Sequence, residues 1–176
     1  MEYPSFLIEE AVKQISRLPG IGKKTALRLA LHLLKQEELD TEQLSDALLK
    51  LRKETQYCTT CHVISHTTDC TCRTIKTDVS TICVVEDTPD VMAIQNTGQY
   101  FGMFHVLGGV ISPLDGVGPD DIHIDSLINR INESDGEIKE IILAISPTME
   151  GDTTAFYLTK KLKNSGVKIT SIARGS

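Results

Sequence analysis

The chain lacks any apolar run approaching the roughly 20 residues that cross a bilayer, which excludes a helical membrane protein. Its opening, Met1-Glu2-Tyr3-Pro4, lacks the basic and then apolar pattern of a secretory signal. It also lacks the scattered, evenly numbered cysteines of a disulfide framework: of five cysteines, four crowd into residues 58–72. The expected compartment is therefore the cytoplasm. No internal repeat and no low-complexity tract is present, and 176 residues suffice for a real core in one domain or two small ones.

Charge is missing locally rather than globally. From Ala11 to Gln36 there is no acidic residue, against six basic ones: Lys13, Arg17, Lys23, Lys24, Arg28 and Lys35. From Val84 to Ala155 only Arg130 and Lys139 are basic, against thirteen acidic residues. The formal charge of -6 thus hides a basic N-terminal element and an acidic body. The first suits phosphate; the second repels it unless a metal or basic partner intervenes.

Apolar spacing predicts helices over 6–16, 23–34 and 41–53, the last with Thr41 as its cap. From Val79 onward strands and helices alternate. Strands are expected at 81–86, 101–106, 138–145 and 168–172, with helices at 89–97, 122–131 and 152–165. That grammar predicts an α/β fold with a mainly parallel sheet covered on both faces. Cys83, inside the first of these strands, reads as core.

Three motifs carry chemistry. Leu18-Pro19-Gly20-Ile21-Gly22-Lys23-Lys24 joins two short helices through a glycine turn, which lets amide N–H groups face outward at the start of the next helix. A DNA phosphate would meet free donors and the positive helix end there, with Lys23, Lys24 and Arg28 extending the contact and no base being read. The plainer alternative is an ordinary turn with solvated lysines. The phosphate-loop spacing G-x-x-x-x-G-K-[ST] is absent.

Cys58-x-x-Cys61 and Cys70-x-Cys72 form two thiol pairs across an eight-residue loop, a tetrahedral set suited to structural zinc. His62 and His66 are potential substitutes for a missing thiolate. The acidic residues Glu86, Glu150 and Asp152 follow predicted strands and are expected near one sheet edge, where they could hold magnesium or begin a helix. The glycine-punctuated stretch from His105 to Asp121 reads as an ordered loop, either a binding surface or simply folded.

Taken in order, residues 18–30, the cysteine hairpin, Ile82 to Asp87, Tyr100 to Asp121 and Glu150 to Ala155 resemble the bacterial RecR family. The resemblance implies a helix-hairpin-helix domain at 1–54, a four-cysteine zinc finger at 55–78 and a Toprim domain at 79–176. It assigns DNA contact to Lys23, Lys24 and Arg28, beside the Gly20 and Gly22 of the turn itself, zinc to Cys58, Cys61, Cys70 and Cys72, and the acidic Toprim positions to Glu86, Glu150 and Asp152. It also implies a nucleoid-associated, non-catalytic recombination mediator that binds single-stranded, duplex and gapped DNA. Such a mediator works with RecO and RecF to load RecA onto strands coated by single-strand-binding protein. The competing expectation is a magnesium-dependent Toprim enzyme, a nuclease or topoisomerase-like protein. Two departures stand out: the family's second pair is usually Cys-x-x-Cys, and its chains continue past Ser176 for about one strand, a helix and an arm. A tetrameric ring is expected of the longer form, and a dimer or monomer of a chain without that arm.

Overall fold

A computed structural model of the chain describes residues 2–65 and 73–172. Cys70, Cys72 and His66 lie outside the described residues. The chain divides into two compact units, Met1–Glu54 and Thr55–Ser176.

The first unit is helical. Helix α1 (Phe6–Ile15) starts where the Ser5 hydroxyl accepts the Leu7 N–H at 3.1 Å, satisfying one of the donors a helix start leaves open. Helix α2 (Lys23–Leu33) follows the glycine turn. Val12, Ala26 and Ala30 are the buried centre between them, with Tyr3, Ile8, Ala11, Ile15, Ile21 and Leu27 around it. Two alanines at i and i+4 let the helices approach closely. Helix α3 (Glu38–Glu54) begins earlier than its sequence pattern suggested, and Thr41 lies inside it rather than capping it. The acidic side chains of Glu38 and Asp40 occupy its first turn and favour the positive helix end.

The second unit opens with a small hairpin, β1 (Gln56–Tyr57) antiparallel to β2 (Ile64–Ser65). The sheet proper comprises β3 (Asp78–Val85), β4 (Gly102–Val106), β5 (Glu140–Ala144) and β6 (Lys168–Ser171). Its order is β4-β3-β5-β6 and every neighbouring pair is parallel. Strand β3 starts before the expected Thr81 because Asp78 donates its N–H to the Phe101 carbonyl at 2.8 Å, adding a segment across a register shift.

Successive residues of β3 serve opposite faces. Ile82 and Val84 join a large core with Leu127 and Ile131 of α5 (Ile124–Glu133) and with Leu158 of α6 (Met149–Lys161), closed by Leu162. Cys83 and Val85 join a smaller core with Phe104 and with Val91 of α4 (Thr88–Asn96). Helices thus cover both faces, as the α/β reading requires. Cys83 is core, and burial first, then the nearby Asp90 charge, pushes its thiol up to about 12. Among the described residues no helix is long and apolar enough to cross a membrane.

Candidate nucleic-acid interface and acidic sheet edge

The turn before α2 is built by Gly20, which adopts φ +79°, a conformation that side chains bearing a Cβ strongly disfavour. Gly22 is the N-cap of α2 and supplies no capping side chain, so the first-turn amides are not satisfied from within the cap. A Cβ placed on either glycine would meet nothing within 4 Å, which leaves the backbone open to approach. Lys23, Lys24 and Arg28 are all exposed beside it, and none has a carboxylate partner among the described residues. Donors, helix dipole and three cations therefore address one place, an arrangement complementary to a phosphate.

The cysteine turn is described through its first pair. Cys58 and Cys61 are buried, at 3% and 0% exposure. Cys58 donates its N–H to the Val63 carbonyl at 3.0 Å, its own carbonyl accepts from His62 at 2.9 Å, and its Sγ accepts the Thr60 N–H at 3.4 Å. Two buried sulfurs on one tight turn, one of them met by the Thr60 amide, make this half of the donor set fit a soft structural metal.

His62 does not offer its ring to the thiols as a substitute ligand would. Its φ of +62° turns the chain, and its Nε2 lies 2.8 Å from the Ser126 hydroxyl. The ring stacks on His123 at 3.6 Å between centroids and meets His105 edge-on at 5.3 Å. Beside this stack the Cys61 carbonyl accepts the Val106 N–H at 2.8 Å, and Arg130 donates to the Phe104 carbonyl at 2.7 Å. Both bonds satisfy the outer side of β4, the terminal strand, whose backbone would otherwise be an open edge. Nothing in the sequence reading had singled out His105, His123, Ser126 or Arg130 as a cluster. The available signal was Arg130, one of two basic residues in an acidic stretch.

His105 is fully buried, and its Nε2 sits 2.8 Å from the His123 carbonyl, which fixes that nitrogen as the donor. Its Nδ1 faces the Arg130 guanidinium at 3.4 Å. Desolvation, opposed by the bond to the His123 carbonyl and reinforced by the Arg130, His62 and His123 charges, lowers its pKa from 6.5 to about 3. A base whose folded pKa is depressed leaves the unfolded chain binding more protons below 6.5. The stability His105 contributes is therefore complete above about pH 6.5 and is lost as pH falls toward about 3. Urea midpoints should fall between pH 7 and pH 5, and fall less steeply in His105→Asn. Parallel slopes would remove His105 as the cause.

At the carboxyl edge of the sheet the acids divide. Glu86 follows β3, whose connection runs to β4 on one side while that of its other neighbour, β5, runs to β6 on the opposite side, the crevice where open α/β sheets place ligands. Its Oε1 accepts the Ser146 N–H at 2.7 Å and also the Ser146 hydroxyl, tying β3 to the loop after β5. Glu150 and Asp152 lie in the first turn of α6, which begins before the expected Asp152 because the Thr148 hydroxyl accepts the Gly151 N–H at 3.0 Å. Among the described residues no three His, Cys, Asp or Glu side chains converge as a metal would need.

The loop between β4 and α5 is ordered by its own chemistry. Leu107, Ile111 and Ile122 are buried in the large core, and Ile111 donates its N–H to the Thr154 hydroxyl of α6 at 2.8 Å. Gly151 packs so tightly that a Cβ would penetrate the Ser146 carbonyl. Gly151→Ala should therefore cost about 1–3 kcal/mol, as overpacking against backbone does, in a denaturant titration. An unchanged midpoint would show that the α6 start can shift without penalty.

A family model described as "RecR, helix-hairpin-helix" matches residues 8–52, and one described as "Toprim domain" matches residues 80–173. The Recombination protein RecR of Cytophaga hutchinsonii is 58% identical over 176 residues, covering 99% of this chain and 85% of that relative. The chain belongs to the RecR family. RecR proteins of Bacteroides thetaiotaomicron and Porphyromonas gingivalis are each 55% identical over 175 residues, covering 99% of this chain and 84% of theirs. The two matched regions thus coincide with the N-terminal helices and the parallel sheet described above.

Proposed function

We propose that the protein is a non-catalytic recombination mediator that holds DNA through the glycine hairpin before α2. The observation that carries this reading is the open, uncapped helix start flanked by Lys23, Lys24 and Arg28, which have no acidic partners among the described residues. Backbone contacts of this kind position a strand without reading bases, so binding is weakly selective and falls steeply with salt. The name its relatives carry, Recombination protein RecR, supports the recombination role.

Cys58, Cys61, Cys70 and Cys72 together hold one zinc ion, which cross-links the small hairpin that its own core cannot stabilise. The acidic edge around Glu86, Glu150 and Asp152 repels phosphate and serves instead as a surface for basic faces of RecO and RecF, in support of loading RecA at gaps. Self-assembly fits the first unit: none of α3 is buried, and Leu44, Leu48 and Leu51 lie exposed at helical spacing along it.

Absence of turnover is directly testable. Supercoiled plasmid incubated with the protein and magnesium should remain supercoiled, with Glu86→Gln indistinguishable from the parent. Cleavage or relaxation that disappears in Glu86→Gln would overturn the non-catalytic reading and install the Toprim enzyme in its place. The engagement of Glu86 with Ser146 favours the first outcome, because that carboxylate already has a structural task.

A further inference from the structure

The cations of α2 do not stop at the hairpin. Lys24, Leu27, Arg28, Leu31, His32 and Lys35 line one shallow concavity of about 400 Å³ on the exposed side of the helix. At 100° per residue Lys24, Arg28 and Leu31 share one narrow arc of α2, which rises about 14 Å from Lys24 to Leu33, and Lys35 follows in the turn just beyond its end. That length exceeds what a single phosphate at the helix start can occupy. None of the four basic side chains has an ion-pair partner among the described residues. No acid interrupts the helix, and Leu31 lies 41% exposed between the cations.

We infer that this face of α2, with the turn that follows it, is a track for one DNA strand, in which His32 and Lys35 contact phosphates beyond the hairpin and Leu31 supports a sugar or base face. The inference rests on the hairpin reading and extends it by a second stretch of contact. A row of cations alone would serve duplex or single strand equally, because phosphate contacts carry no such distinction. The apolar floor makes the difference: it gains by covering the faces of unstacked bases, which a duplex keeps internal. A second copy of the chain is the rival occupant, but it would have to bring Lys24, Arg28 and Lys35 against like charges without a compensating acid on this helix.

The test is fluorescence anisotropy of the full chain with labelled oligothymidylate and with a blunt duplex of equal length, over a salt series. The double variant His32→Gln, Lys35→Gln should bind the single strand about two- to fivefold more weakly per lost contact. Its log–log salt slope should be shallower by about 0.7 for each phosphate lost. Leu31→Ala should weaken single-strand binding with the slope unchanged and the duplex unaffected. Circular dichroism and sedimentation accompany each variant. Parental binding by the double variant, while Lys24→Ala weakens, overturns the inference and leaves the hairpin reading intact. Parental binding by both overturns the two together. A Leu31→Ala variant that changes sedimentation but not affinity assigns the face to a second copy and also overturns it.

Discussion

On the proposed zinc site, Cys58→Ser combined with Cys61→Ser should reduce bound zinc from about one ion per chain to nearly none and bring the largest stability loss expected of any change in this protein. Serine keeps the volume but not the thiolate, and hard oxygen at two corners of a soft tetrahedral site removes most of the affinity. Metal binding of this kind is folding free energy, worth about 10–16 kcal/mol in isolated zinc-finger peptides. Here the turn has further anchors: the Cys61 carbonyl on Val106, the His62 stack on His123, and Val63 against the smaller core. The loss should therefore fall on the hairpin, as protease cutting near residues 58–65, while the parallel sheet keeps its secondary structure. Because the hairpin satisfies the outer side of β4, the unit as a whole should also unfold at lower denaturant. Metal analysis and limited proteolysis of the same sample check both parts. A double-serine variant that retains stoichiometric zinc would show that the ligands lie elsewhere.

What the sequence made legible follows from which physical signals are local. Helix α2 was readable because Gly20 and Gly22 punctuate it and Ala26, Leu27 and Ala30 keep a strict apolar spacing. The parallel sheet was readable because its central strand, β3, is apolar on both faces, with Ile82 and Val84 on one side and Cys83 and Val85 on the other. The start of α6 was misplaced because its cap, Thr148, sits after Ser146-Pro147, a pair that reads as loop, while the acids drew attention to Asp152.

Glu86 was legible as an acid at a strand end, but not as the partner of Ser146, sixty positions away. The long loop after β4 left two readings open. Its backbone bond to Thr154 and its three buried aliphatics account for its order without any ligand. The histidine cluster was invisible for the same reason of distance: His62, His105 and His123 meet only once the cysteine turn docks beside β4. Pairings between distant segments leave no periodicity in the chain, so local pattern reasoning has nothing to detect.

The hairpin carries the second large effect, and its size follows from counting contacts. Lys23→Ala, Lys24→Ala and Arg28→Ala together remove three cations from around an open helix start. Each exposed charge contact is worth about 0.2–1 kcal/mol, so the triple variant should bind about threefold to 150-fold more weakly at low salt. The salt slope on single strands should be shallower by about 2. All three side chains are exposed and outside the Val12–Ala26–Ala30 centre, so the helical unit should keep its fold. The decisive measurement is therefore anisotropy of labelled gapped and single-stranded DNA against the parent and this triple variant, with folding and oligomeric state verified for each. Loss of binding by a folded triple variant is the predicted result. Equal binding by parent and variant would contradict the account, since DNA would then be held somewhere other than the hairpin.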